Sequence, residues 1–109
     1  MPSALYEVIR AAMFEEKQVI CTYDGRPREL CPIILGHSEG EEKLLAYQVG
    51  GASSKGVPRN GQWKCLLVAR MQGARMREGP WREGDRHTQE QRCVHDVDVD
   101  INIHVRKRR

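Results

Sequence analysis

Residues 18–37, QVICTYDGRPRELCPIILGH, decide how this chain folds. Val19, Ile20, Cys21, Thr22 and Tyr23 form a run of β-branched, aromatic and small apolar side chains, the types that suit a half-buried pleat. Asp24-Gly25 interrupts the run and Pro27 fixes a backbone angle close by, so the chain is expected to reverse between Asp24 and Pro27. Leu30 to Leu35 then supply a second apolar run, the antiparallel partner of the first. A hairpin lies at the centre, a helix leads into it and further strands are laid beside it.

Upstream, Ser3 is placed to cap a helix, and Ala4 to Lys17 contain neither Gly nor Pro. Leu5, Val8, Ile9, Ala12 and Met13 recur at three- and four-residue steps and share one face. Glu7, Arg10, Glu15, Glu16 and Lys17 take the other. The expected element is an amphipathic helix over 4–17 that covers one side of a sheet. It is short and acidic at its end, and no second helix follows to complete a DNA-reading helix-turn-helix.

Downstream, Ser38 to Glu42 form an acidic turn and Lys43 to Val49 a third strand. Gly50 to Gly61, with four glycines and Pro58, reads as a long connection. Gln62 to Ala69 is a fourth strand, Arg70 to Arg77 a strand bulged or bent at Gly73, and 78–90 a loop anchored by Trp81. In the last strand Val94, Val97, Val99, Ile101, Ile103 and Val105 are apolar, while Asp96, Asp98, Asp100, Asn102 and His104 alternate with them. That period of two predicts Val97, Val99, Ile101 and Ile103 buried and Asp98 and Asp100 in water. One helix and five or six short strands with glycine-rich turns make a mainly β protein: a small, strongly bent antiparallel sheet or partly open barrel carrying an N-terminal α-helix.

At 109 residues and 12.5 kDa the chain is expected to form one domain over 1–105, with a basic tail at 106–109. No basic segment followed by a long apolar run opens it and no stretch approaches a membrane span, so a cytoplasmic protein is expected. Cys21, Cys31, Cys65 and Cys93 lie far apart with no C-x-x-C pair, and are expected to be four reduced, buried thiols. A symmetric Asp24–Arg28 loop would place Cys21 opposite Cys31 across the hairpin. The net charge of +3 is unevenly spread. Residues 1–50 hold five Lys/Arg against eight Asp/Glu, residues 55–82 hold seven against one, and Arg106-Lys107-Arg108-Arg109 close the chain. Such clustering of positive charge is what an anionic partner would use.

Few motifs carry reaction chemistry. Asp96, Asp98 and Asp100 could approach a divalent cation, but same-face strand residues lie roughly 7 Å apart, too far to share one ion unaided. No nucleophile elbow or phosphate loop is present, and His37, His87, His95 and His104 are scattered. Cys93 and His95 share a strand face but would splay rather than pair. No catalytic residue, metal ligand or cofactor is therefore assigned. The candidate site is cationic: Arg59, Lys64, Arg70, Arg75 and Arg77 come from one loop and adjacent strands, with Tyr47 and Trp63 near them. Guanidinium donors beside planar rings are the parts that hold single-stranded nucleic acid or nucleotides.

The order of residues resembles the WYL domain family: a helix, then Tyr23-x4-Arg28-x3-Pro32, then Ala46-Tyr47, then an apolar strand ending Leu67-Val68-Ala69-Arg70-Met71. The signature Trp-Tyr-Leu falls on Glu42-Lys43-Leu44 and keeps only its leucine. The resemblance implies an SH3-like barrel acting as the ligand-sensing part of a bacterial regulator, with Arg28, Tyr47 and Arg70 in the ligand site. On this basis the expected function is non-catalytic binding of an anionic ligand, single-stranded nucleic acid or a nucleotide. A partner regulator protein or a second copy of the chain could join it, and no membrane is involved. The alternatives are a subunit that docks another protein by its sheet edge and, further off, a small hydrolase using Cys93 or the aspartate ladder.

Overall fold

The computed structural model describes residues 3–51, 62–79, 81 and 93–101, and the structural statements below concern these. In chain order they form α1 (Ala4–Glu15), β1 (Gln18–Tyr23), β2 (Arg26–Ser38), β3 (Glu41–Gly51), β4 (Gln62–Leu67), a 3-10 turn (Val68–Arg70), β5 (Met71–Arg77) and β6 (Asp96–Asp100). Ile103, Val105 and the basic tail fall outside them.

Helix α1 is fastened at both ends by its own sequence. The Ser3 hydroxyl accepts from the Tyr6 amide at 3.1 Å and in turn donates to the Glu42 carboxylate at 2.6 Å, which ties the first turn to β3. At the other end Glu16 takes the left-handed conformation (φ 53°) and its amide donates to Met13, while the Lys17 amide reaches Ala12. This Schellman closure stops the helix at Glu15, two residues short of the expected end. Ile9, Ala12 and Met13 are buried as expected; Tyr6 joins them, and Leu5 and Val8 are only half-buried.

The hairpin turns on two residues. Asp24 (φ 53°) and Gly25 (φ 76°) are both left-handed, the geometry that matches the twist of the flanking strands. Tyr23 therefore pairs with Arg26, Cys21 with Arg28 and Val19 with Leu30. A two-residue turn shifts the register away from the one that would oppose the two thiols, so Cys21 faces Arg28 rather than Cys31, and both cysteines are buried and outside any disulfide.

β2, at 13 residues, is the spine of the sheet. The strand order is β4-β3-β2-β1-β5, all neighbours antiparallel, with β6 added along β2. β4 and β5 lie at opposite ends of that order yet are separated in sequence only by the 3-10 turn, so the sheet must curl back on itself. The Leu67 amide, at the end of β4, donates to the Tyr23 hydroxyl of β1 at 3.1 Å and closes the curl. The fold is thus mainly β, with α1 packed on a small, strongly bent antiparallel sheet of SH3-like strand order. The core lies inside the bend, built on Val19, Leu30, Ile33, Leu35, Leu44 and Val68 with Ile9 and Met13 from the helix.

Two expectations are corrected here. Along β6, Val99 pairs with Leu35 but Val97 pairs with Gly36, so β6 advances two residues while β2 advances one. The bulge at Asp98 flips the phase of the strand. Val99 is 3 % exposed and Ile101 fully buried, whereas Val97 is 40 % exposed. Asp98 is exposed and Asp100 half-buried. The second correction concerns the thiols: Cys65 and Cys93 form a disulfide with Cα atoms 5.6 Å apart. Cys65 pairs in register with Leu45 on β3, and the Cys93 sulfur lies 3.5 Å from the Leu44 carbonyl of the same strand. β3 therefore brings together two residues that are 28 apart in sequence.

Candidate functional site

The structure divides the expected cationic surface into three places. Tyr47 and Trp63 are register partners on β3 and β4, with ring centroids 5.2 Å apart in an edge-to-face arrangement. Tyr47 is 5 % exposed and belongs to the core, so it offers no open stacking face. Lys64, the next residue on β4, alternates to the other face and is half-buried. Arg59 lies outside the described residues.

Arg70 occupies the second place. It ends the 3-10 turn, forms an ion pair with Asp24 and sits with its guanidinium carbon 5.5 Å from the centre of the Tyr23 ring. Its charge is met within the protein, where it locks the hairpin turn against the β4–β5 connection.

Arg75 and Arg77 come together in the third place, an open groove of about 410 Å³ across β1, β2 and β5; Arg28 borders it too, but it pairs with Cys21 and so projects from the opposite face of the sheet to Arg75, the partner of Ile20. A bulge makes the groove. Ile20 pairs with Arg75 and Thr22 with Gln72, so Gly73 and Ala74 together oppose the single residue Cys21. Gly73 turns this bulge in the left-handed region (φ 61°), and a side chain there would meet nothing within 4 Å. The ladder is parted beside Cys21 and the space is bounded by Ile20, Thr22 and Pro27 with the three arginines.

The charges in the groove are unequally matched. Arg77 pairs with Glu29, the carboxylate of the groove, and also donates to Gln18. Arg75 is exposed and makes no ion pair among the described residues. Arg28 is only 7 % exposed. Its Nη1 donates to the Gln48 side chain at 3.1 Å, its guanidinium carbon lies 5.6 Å from the Tyr23 ring centre, and its Nε is buried without a hydrogen-bond partner. No carboxylate among the described residues pairs with it. Burial pushes the neighbouring Cys21 thiol up to about 11, with Arg28 opposing the shift, so at neutral pH the thiol is uncharged and a poor nucleophile.

A second polar cluster was not anticipated from the sequence. The Tyr6 hydroxyl of α1 donates to Asp98 of β6, and His37 Nδ1 of β2 lies 3.2 Å from the same carboxylate. The Tyr6 and His37 rings stack with centroids 5.5 Å apart. Burial first and the Asp98 carboxylate second raise the Tyr6 hydroxyl well above its ordinary value. The cluster pins the helix to two strands. Its signal in the sequence was faint, since Tyr6 lies beside the regular apolar stripe and Asp98 sits in a ladder that reads as solvated surface.

Cys93 is bonded to Cys65 and is not a free thiol, and His95 beside it is exposed. Among the described residues no three His, Cys, Asp or Glu side chains gather as a metal site, and no helix is long and apolar enough to cross a membrane. No family model, curated protein or solved structure matches this chain.

Proposed function

We propose that the protein is a non-catalytic, ligand-sensing domain that binds an anionic ligand, a nucleotide or single-stranded nucleic acid, in the groove between β1, β2 and β5. The observation that carries this reading is Arg75, an exposed guanidinium that lines the groove and makes no ion pair among the described residues. An oxyanion entering the groove would meet its fork of N–H groups, with Arg77 holding the Glu29 carboxylate beside it.

The charge distribution along the chain supports the reading, because residues 55–82 hold seven Lys/Arg against one acidic residue, and two of the seven, Arg75 and Arg77, lie on β5. The SH3-like strand order is in keeping with the WYL resemblance, and hence with a regulatory role. Titration of a labelled short single-stranded oligonucleotide at two salt concentrations tests the proposal. Saturable binding that weakens steeply with salt is expected. Absence of saturable binding at low salt would replace this reading with docking of a protein along the sheet edge, which apolar burial would make far less sensitive to salt.

A further inference from the structure

We infer that the Cys65–Cys93 bond is a reversible thiol-exchange site, opened by a small thiol that attacks Cys65 and stays there as a mixed disulfide. The site stands apart from the anion-binding groove, whose lining contains neither Cys65 nor Cys93.

Access comes first. A disulfide exchanges only where a thiolate can reach one of its sulfurs. Both cysteines line an open cleft of about 180 Å³ beside the turn between β2 and β3. Cys65 is exposed on β4, while Cys93 is half-buried with its sulfur 3.5 Å from the Leu44 carbonyl. The approach to Cys65 is therefore the open one. Lys43 shares a face of β3 with Leu45, the register partner of Cys65, and lines the cleft with His95. Its ammonium group offsets Glu39 and Glu41 on the same cleft and favours an incoming thiolate. The cleft is smaller than those that enclose drug-sized ligands, so it suits a small thiol.

The chemistry closes with thiols alone. The incoming sulfur bonds to Cys65 Sγ as the Cys65–Cys93 bond breaks, and the electron pair leaves on the Cys93 sulfur. Cys93 then takes a proton from water, and its S–H finds the Leu44 carbonyl already in place as acceptor. A second thiol attacks the mixed disulfide at the small-molecule sulfur and releases Cys65 as a thiol. Two small thiols are thereby oxidised to their disulfide, and the protein disulfide is reduced.

Reversal requires that the two cysteines stay together once the bond is open. The Ser38 hydroxyl donates to the Cys93 carbonyl at 2.8 Å and accepts from the His95 amide at 3.0 Å. The same amide reaches the His37 carbonyl at 3.1 Å. Cys65 is fixed by the β3–β4 ladder opposite Leu45. None of these contacts needs the sulfur–sulfur bond. The Cys93 thiol is thus held where it can attack the mixed disulfide and expel the small thiol. Cys21 and Cys31 are buried and line no part of this cleft, so they stand outside the exchange.

The experiment incubates the folded, oxidised protein with reduced glutathione, quenches with acid and maps adducts by peptide mass. Opening should proceed within about tenfold of the rate for the urea-unfolded protein, because access sets the rate of exchange. The first product should carry one glutathione, on Cys65. Removal of free glutathione should let Cys93 expel the adduct and restore the bond. Cys93→Ser, which lacks the returning thiol, should keep the adduct on Cys65. Should that variant not fold, adduct mapping and reclosure in the parent protein decide the matter. Protein carrying four thiols should form the Cys65–Cys93 bond when placed in oxidised glutathione. Opening only in urea, or adducts shared equally between Cys65 and Cys93, would overturn the inference. Failure of the folded, reduced protein to reclose the bond would overturn it as well.

Discussion

The Tyr23 hydroxyl accepts a hydrogen bond from the Leu67 amide at 3.1 Å, joining the end of β1 to the end of β4 although two strands stand between them in the sheet. This bond exists only because the sheet is curled. It gives the buried Tyr23 a function that its position in an apolar run does not suggest. Tyr23→Phe should keep the packing and the two guanidinium contacts but leave the Leu67 amide without its partner. The expected loss is about 1 kcal/mol in denaturant unfolding. A variant as stable as the parent would mean that the curl is held without this bond.

The Asp98 bulge separates two valines that the alternating pattern treats alike. Val99→Asp places an unpaired charge at a site 3 % exposed and should cost about 3 kcal/mol or more. Val97→Asp, at 40 % exposure, should change stability by no more than about 0.5 kcal/mol. Thermal melts of the pair test the register directly, and equal losses would restore an unbroken strand.

Thiol counting tests the cystine. Unfolded without reductant, the protein should show two reactive thiols, Cys21 and Cys31, and after reduction four. Cys93→Ser should lower stability by about 2–4 kcal/mol, the usual worth of closing a loop of this size. Four thiols before reduction would place the chain back among fully reduced proteins.

Alkaline pH should loosen the fold in a set order. The Cys21 thiol is raised from 9.0 to about 11 and the Tyr6 hydroxyl is raised above its ordinary 10.0, both chiefly by burial. In each case the folded state holds the proton more tightly, so the stabilising contribution is complete below the unfolded pKa and is lost as pH rises. The urea midpoint should therefore fall from about pH 9 upward. Tyr6→Phe should flatten the part of that decline above pH 10, because it removes the group whose ionisation the Asp98 carboxylate opposes. A decline of the same steepness in Tyr6→Phe would show that Tyr6 does not titrate with folding.

In the groove, Arg75→Ala should weaken oligonucleotide binding by about 1–3 kcal/mol and leave the melting temperature almost unchanged, since an exposed arginine contributes little to folding. Arg70→Ala should show the opposite balance, with a small loss of stability through Asp24 and little effect on affinity. Reversal of the two would move the binding surface from the groove to the hairpin turn.

The hairpin, the amphipathic helix and the mainly antiparallel sheet were legible in the chain because they follow from neighbours. Asp24-Gly25 can only turn, the apolar stripe from Ile9 to Met13 can only bury one helix face, and alternation marks a strand wherever it occurs. Three features depended on residues that sequence separates. The Cys65–Cys93 bond waited on β3 bringing β4 and the approach to β6 together. The phase of β6 waited on a bulge, which shifts pairing by one residue without changing composition. The groove needed another bulge, at Gly73, and an exposed Arg75 whose lack of an ion pair among the described residues is a property of its surroundings. Local pattern determines which face of an element is apolar. Which charge is left unpaired is decided by the long-range register, because solvation and pairing depend on everything that comes to lie around a side chain.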